Sequence, residues 1–264
     1  MATRAHVHIL VLTDKNVACC RSLSDLPIFL CDDKLGGEPD YTLLAFLPFL
    51  NAVTQKVPSG FVFSLMGKVH SYDDFTGAIA MAHRMQVDLV VWYSFAMTAA
   101  SEAAIDPGVQ EIVEFALANN IVVIYPFLSM PFQDAPGAIP VAGVAIENSI
   151  FGLTRMPAGG LVNEPKVVTS GRWAEFQRVW ELTNIRISVP DPRQRIEGHG
   201  LAVWTVAAVA AWYLHMQKSA GAQDLANGLE DCLRTLCVPI ELQPKGTRVS
   251  YGYLDPRRVS EFGA

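Results

Sequence analysis

The sequence predicts an α/β fold: three layers, doubly wound, around a mostly parallel sheet of about six or seven strands. Three observations carry this. Short apolar runs alternate with amphipathic runs of helical period, which is the rhythm of βαβ units. Residues 201–214 form an alanine-rich run, apolar on every side and almost free of charge, which reads as a helix buried all round. Hydrophobic residues make up 51% of the 264-residue chain and charged residues only 17%, enough for one deep core. No linker, repeat or shift in composition divides the chain, so 1–264 is read as a single domain.

Taken in order, residues 7–12 are a short apolar strand ended by the turn residues Thr13 and Asp14. Residues 32–40 form a polar loop, and 41–53 read as a mainly apolar helix kinked at Pro48. Residues 60–66 are a second buried strand. Ser71 is placed to cap a helix with Asp73 and Asp74 in its first turn. Residues 87–95 are continuously apolar, as in a strand covered on both faces. Asp106 and Pro107 open the next helix, and Val109, Ile112, Val113, Ala116 and Leu117 give its 3.6-residue period. Asn119 and Asn120 end it before a strand over 121–125, with another at 141–146. The third quarter, 148–192, is rich in Gly, Pro, Asn and Arg; it offers a short strand near 166–169 and a helix or loop over 173–180. Residues 222–236 form a second amphipathic helix after the central one, and 249–253 close the fold.

Composition excludes several function classes. The net charge of -6 and the lack of a basic block argue against a nucleic-acid surface. At 14 residues, the longest apolar run is too short to cross a bilayer. With no signal-like N-terminus, and five cysteines of which Cys19 and Cys20 are adjacent, the expectation is free thiols in a cytoplasmic protein. His6 and His8 share a strand face, but no third ligand accompanies them, so no metal is expected. No dinucleotide fingerprint, Walker loop or G-x-S-x-G is present, so no cofactor is expected either.

The local feature with the most chemical content is Gly198-His199-Gly200, placed where the buried helix begins. Unpaired N–H groups and the positive end of the helix dipole meet there, a setting suited to an anion or an oxyanion. The plainer alternative is a tight turn with a capping histidine.

The order of segments resembles the subtilisin-like serine peptidases, over most of the chain. Residues 198–208 align without a gap on that family's G-T-S-M-A-A-P-H-V-A-G helix. Residues 87–95 are similar to the strand ending in N-M-S-L-G, with Ser94 at its serine. Residues 121–127 and 138–141 resemble the V-V-V-A-A-A-G-N and Y-P-A segments, and 251–256 the closing Y-G-x-G-x-V-D-P. The resemblance implies a subtilisin-like fold but not its chemistry. The nucleophilic serine falls on Gly200, and His199 takes the preceding threonine. Thr13 stands where the aspartate belongs, with Asp14 one place late. Asp40 stands where the histidine belongs. The oxyanion asparagine falls near Ser129. A serine hydrolase needs nucleophile, base and orienting acid within hydrogen-bond reach, so no subtilisin-type proteolysis is expected, and no prodomain.

The cleft implied by the resemblance lies at the carboxyl ends of the strands. His199, Asp40 and Asp14 are its acid/base candidates. Tyr93, Ser94, Ser129, Gly200, Trp204 and Thr13 are its ligand-binding candidates. The leading expectation is a pseudo-peptidase whose cleft binds an apolar small molecule or a peptide-like ligand. One rival is an enzyme performing a small-molecule cyclisation or rearrangement with His199 and an acidic partner. The other is a scaffold or homodimerisation module.

Overall fold

The computed structural model describes residues 6–13, 28–30, 60–67, 69, 72–93, 107–127, 137–147, 150–153, 164–172, 198–243 and 248–258. Its strands are β1 (Val7–Leu12), β2 (Ile28–Leu30), β3 (Phe61–Met66), β4 (Leu89–Trp92), β5 (Val122–Pro126), β6 (Ala138–Glu147), β7 (Ile150–Leu153), β8 (Val167–Ser170), β9 (Cys237–Val238), β10 (Leu242–Gln243) and β11 (Gly252–Leu254). The helices are α1 (Tyr72–Arg84), α2 (Pro107–Ala118), α3 (His199–Ser219) and α4 (Leu225–Leu236). The expected helix at 41–53, the stretch 173–180 and the caps Ser71 and Asp106 lie outside the described residues.

One sheet runs in the order β2-β3-β1-β4-β5-β6-β8-β11-β9, with β7 and β10 off this path. Pairing is parallel from β2 through β11; β9 on β11 and β7 on β6 are antiparallel. The fold class is therefore the one the sequence predicts, but the strand count is not: nine strands lie on the path rather than six or seven. The extra strands β2, β7, β9 and β10 are two to four residues long. Elements that short carry no period to read. β6 is longer than expected because its start pairs with β5, its middle with β8 and its end with β7.

The two faces divide the core. Val7, Ile9, Val11, Leu89, Val91, Val122 and Ile124 face α3 and α4. Leu10, Leu12, Val90, Trp92, Val123 and Tyr125 face α1 and α2. Adjacent positions on each strand thus serve opposite layers, as period-2 geometry requires, and both layers are apolar because both faces are covered. α3 crosses the middle of one face for 21 residues, about 31 Å. It outlasts the apolar run because Met216, Gln217 and Lys218 carry its last turn towards the protein surface.

The chain passes from β1 to β2 and β3 on one side, then crosses to β4 and β5 on the other. The strand order reverses at β1 and β4. In open α/β sheets the crevice beyond the carboxyl ends at such a switch point is where ligands bind. Thr13 follows β1 there, and Tyr93 follows β4.

Candidate functional site

Four backbone segments meet where α3 begins. Gly198 caps the helix at φ 108°, a left-handed conformation that favours glycine, and no side chain caps the helix. Its N–H donates to the Gly171 carbonyl over 2.8 Å, and the Gly171 N–H donates to the Val144 carbonyl over 2.9 Å. The Gly143 N–H donates to His199 Nδ1 over 2.9 Å. The helix start is thereby tied to β6 and to the end of β8.

Close backbone approach explains the glycines. A Cβ on Gly143 would lie 2.7 Å from the Gly198 carbonyl oxygen and 3.0 Å from the Gly171 Cα. A Cβ on Gly200 would lie 2.9 Å from the Tyr93 carbonyl oxygen. Both distances are shorter than carbon packing tolerates unless backbone shifts.

Side chains seal the region from within. The His199 ring meets the Phe127 ring edge-to-face, with centroids 4.9 Å apart. Tyr93 and Trp204 pack ring on ring at 4.5 Å. Relative exposure is 0% at Thr13, 4% at Tyr93, 1% at Trp204 and 6% at His199. Tyr93 and Trp204, named as ligand-binding candidates, pack into the core, while Gly198 and Gly200 keep partial exposure. Of the residues singled out in the sequence, the structure gathers His199, Gly200, Tyr93 and Trp204 at one end of α3. Thr13 follows β1 and is hydrogen-bonded through its backbone to Met66 and Val69. Asp14, Asp40, Ser94 and Ser129 lie outside the described residues.

Sequence reading missed Gly143, Gly171 and Phe127. Gly143 carried a signal, since a lone glycine inside an apolar strand marks a close approach of backbone. The Gly143–His199 pairing spans 56 positions and carried none.

The bond to Gly143 fixes the state of His199. An N–H can only donate, so Nδ1 presents its lone pair and the ring proton of the neutral form sits on Nε2. A general base needs a lone pair to offer, and the one on Nδ1 is committed to the backbone.

A second imidazole cluster lies towards the amino ends of β1 and β4. His8 Nε2 is 2.8 Å from Ser64 Oγ, and its Nδ1 is 3.1 Å from the Met85 carbonyl oxygen. Asp88 accepts from the His8 backbone N–H and from Lys218 Nζ. A hydroxyl, an imidazole and a carboxylate thus stand together. However, Ser64 has no exposed surface, and the carboxylate holds the His8 backbone rather than its ring. Burial lowers the His8 pKa and Lys218 lowers it further, against the raising effects of the Met85 carbonyl and Asp88. Cys232 and Cys237 are free thiols, and burial raises Cys237 to about 12. Among the described residues no three His, Cys, Asp or Glu side chains group to hold a metal ion, and no helix is long and apolar enough to cross a membrane.

No family model matches the chain, and no curated protein matches it. Solved structures do. The prenylagaramide maturation protease PagA superposes with a TM-score of 0.60 at 15% identity, covering 99% of this chain and 96% of that one. A mutant of the protease domain of PatA gives 0.61 at 14% identity, covering 100% and 98%. The epidermin leader peptide processing serine protease EpiP from Staphylococcus aureus gives 0.53 at 9% identity, covering 97% and 75%. The chain has a subtilisin-like fold.

Proposed function

We propose that this subtilisin-like chain is a non-proteolytic, peptide-binding protein. Its ligand docks where α3 begins, beside Gly198 and Gly200. The observation that carries this reading is the contact between Gly200 and Tyr93. Gly200 occupies the nucleophile's place in the sequence resemblance, and a Cβ there would lie 2.9 Å from the Tyr93 carbonyl oxygen. The space a reactive hydroxyl needs is filled by backbone.

Two further points favour a peptide-like ligand over an apolar small molecule. The large apolar side chains nearest the helix start are buried against each other. What stays accessible is glycine backbone, whose polar groups pair naturally with another backbone. The structural neighbours include a prenylagaramide maturation protease and a leader peptide processing serine protease, which supports a peptide-like ligand. Cyclisation or rearrangement by His199 finds less support, because its Nδ1 already accepts a hydrogen bond.

The test is active-site labelling by a fluorophosphonate, which modifies activated serines, read by intact mass. Neither the wild-type chain nor Gly200→Ser acquires the adduct, since the added Cβ collides with Tyr93. An adduct on any serine of the wild-type chain contradicts the reading. In parallel, a pool of random hexapeptides shifts the amide resonances of Gly198 and Gly200; peptide-independent spectra remove the ligand half of the proposal.

A further inference from the structure

We propose that α4, β9 and β11 form one conformational unit, which docks on the rest of the sheet and opens from it as a whole, with the Glu230 carboxylate as its clasp. This goes beyond the peptide-binding reading and does not depend on it.

Glu230 is the one acidic side chain that is buried among the described residues. Its partners come from three strands at once. Oε1 accepts from the Gly137 N–H, just before β6, over 2.5 Å. The same oxygen accepts from Lys166 Nζ, just before β8, over 3.1 Å. Oε2 accepts from the Tyr251 hydroxyl, just before β11. Arg234, one turn along α4, holds its guanidinium 3.7 Å from Oε2 and over the Tyr251 ring. The amino ends of three parallel strands thus meet on one carboxylate from α4.

The unit closes on itself. α4 runs without a break into β9, and the Cys237 N–H donates back to the Leu233 carbonyl. β9 pairs antiparallel with β11, with Cys237 opposite Leu254 and Val238 opposite Tyr253. Tyr251, at the entry to β11, returns to Glu230 on α4. β10 lies between β9 and β11 in the chain but pairs with β7, so it stands outside the unit.

Two kinds of contact dock the unit. One is apolar and divisible: Leu225, Leu229, Leu233 and Leu254 join the core that α3 fills, and β11 pairs with β8. The other is the clasp. Its seat is fitted, because Gly137 has a φ of 76° and a Cβ there would run into Leu117 of α2 and lie 3.1 Å from the Ala226 Cβ of α4.

The clasp makes docking all-or-none. A buried carboxylate is stable only while its donors are in place, and a half-met polar network is worse than none. Moving α4 off Gly137 while Tyr251 stays, or lifting β11 while α4 stays, leaves part of the network buried and unmet. Complete detachment returns the carboxylate and the phenol to water. Position then sets the order of opening. β9 is the end of the sheet path, Val238 is 49% exposed, and Asn227, Asp231 and Arg234 of α4 face solvent. β1, β4 and β5 are covered on both faces. A unit at the edge opens at a lower free energy than the centre.

The test is native-state hydrogen exchange of the full chain in increasing, sub-denaturing urea. In the wild-type chain the slow amides of α4 and β11 converge on one opening free energy and one urea slope, both smaller than those of β1, β4 and β5. Glu230→Gln keeps the volume and removes the charge. It lowers the protection of α4 and β11 by one common factor, about tenfold. Val90→Ala, on the sheet face away from α4, lowers the protection of β1, β4 and β5 and leaves α4 and β11 unchanged, because those strands stay folded when the unit opens. Unequal losses in α4 and β11 in Glu230→Gln overturn the shared unit, and no loss overturns the clasp. Equal losses everywhere in Val90→Ala show that α4 and β11 open only with the whole molecule, which overturns the proposal. Where a variant fails to fold, the wild-type slopes decide: values for α4 and β11 as large as those of β1, β4 and β5 overturn it.

Discussion

Gly143 and Gly200 are the residues at which this structure is least forgiving. At Gly143 the atoms a Cβ would meet are the Gly198 carbonyl and the Gly171 Cα, both backbone and both pinned by hydrogen bonds. Nothing flexible is available to give way. Gly143→Ala is therefore expected to cost about 1–3 kcal/mol, the usual penalty of overpacking. A urea titration followed by circular dichroism reads this as a lower midpoint at unchanged slope. An unchanged midpoint would mean the joint between β6 and α3 is looser than the geometry implies.

His8 gives a second residue-scale prediction, in pH. Burial is the largest influence on the ring and lowers its pKa in the folded chain. The unfolded chain then binds the proton more readily, so the contribution of His8 to stability is complete above about 6.5 and is lost as pH falls through the folded value. The urea midpoint is expected to be level between pH 8 and pH 7 and to fall below that. His8→Gln removes part of the fall. A midpoint that rises on acidification in the wild-type chain contradicts this assignment.

At the scale of elements, α1 and α2 stop in the same way. Gln86 and Asn120 adopt positive φ, at 55° and 58°. The Gln86 N–H reaches the His83 carbonyl and the Val87 N–H the Ala82 carbonyl; Asn120 and Ile121 repeat the pattern on Leu117 and Ala116. This double bond to the last turn is a Schellman ending, in which the left-handed residue is usually glycine. α3 follows the rule, with Gly221 in that place at φ 78°. Gln86 is a long side chain in a conformation that disfavours one. Gln86→Gly is expected to raise stability by about 0.5–1 kcal/mol, visible as a higher melting temperature. A lower melting temperature would show that the Gln86 side chain contributes more than its backbone strain costs.

At the scale of the molecule, the chain's largest features were legible and its joints were not. Residues 201–214 announced a buried helix because no side of it is polar, and α3 is that helix extended by its polar last turns. The runs that became β1, β3, β4, β5, β6 and β8 were legible because strands covered on both faces must be apolar throughout. β9 and β10, two residues each, exist only through their partners. The site divides in the same way. Gly198-His199-Gly200 was visible as the start of a helix. That the imidazole serves Gly143, and that Tyr93 and Trp204 close on each other, depends on pairings across the sheet that no local pattern encodes. The seven described strands from β2 through β8 on the sheet path place Thr13 and Tyr93 at the reversal of strand order, where a ligand site is expected in such sheets.

The proposed function stands or falls on one point: that, in a fold shared with solved proteases, backbone at Gly200 fills the place the resemblance gives to the attacking group. Incubating the intact chain with an unfolded protein substrate and mapping new termini by mass spectrometry addresses it without intermediaries. No cleavage beyond that of a buffer control is expected. Cleavage that disappears when any single serine of this chain is changed to alanine would contradict it.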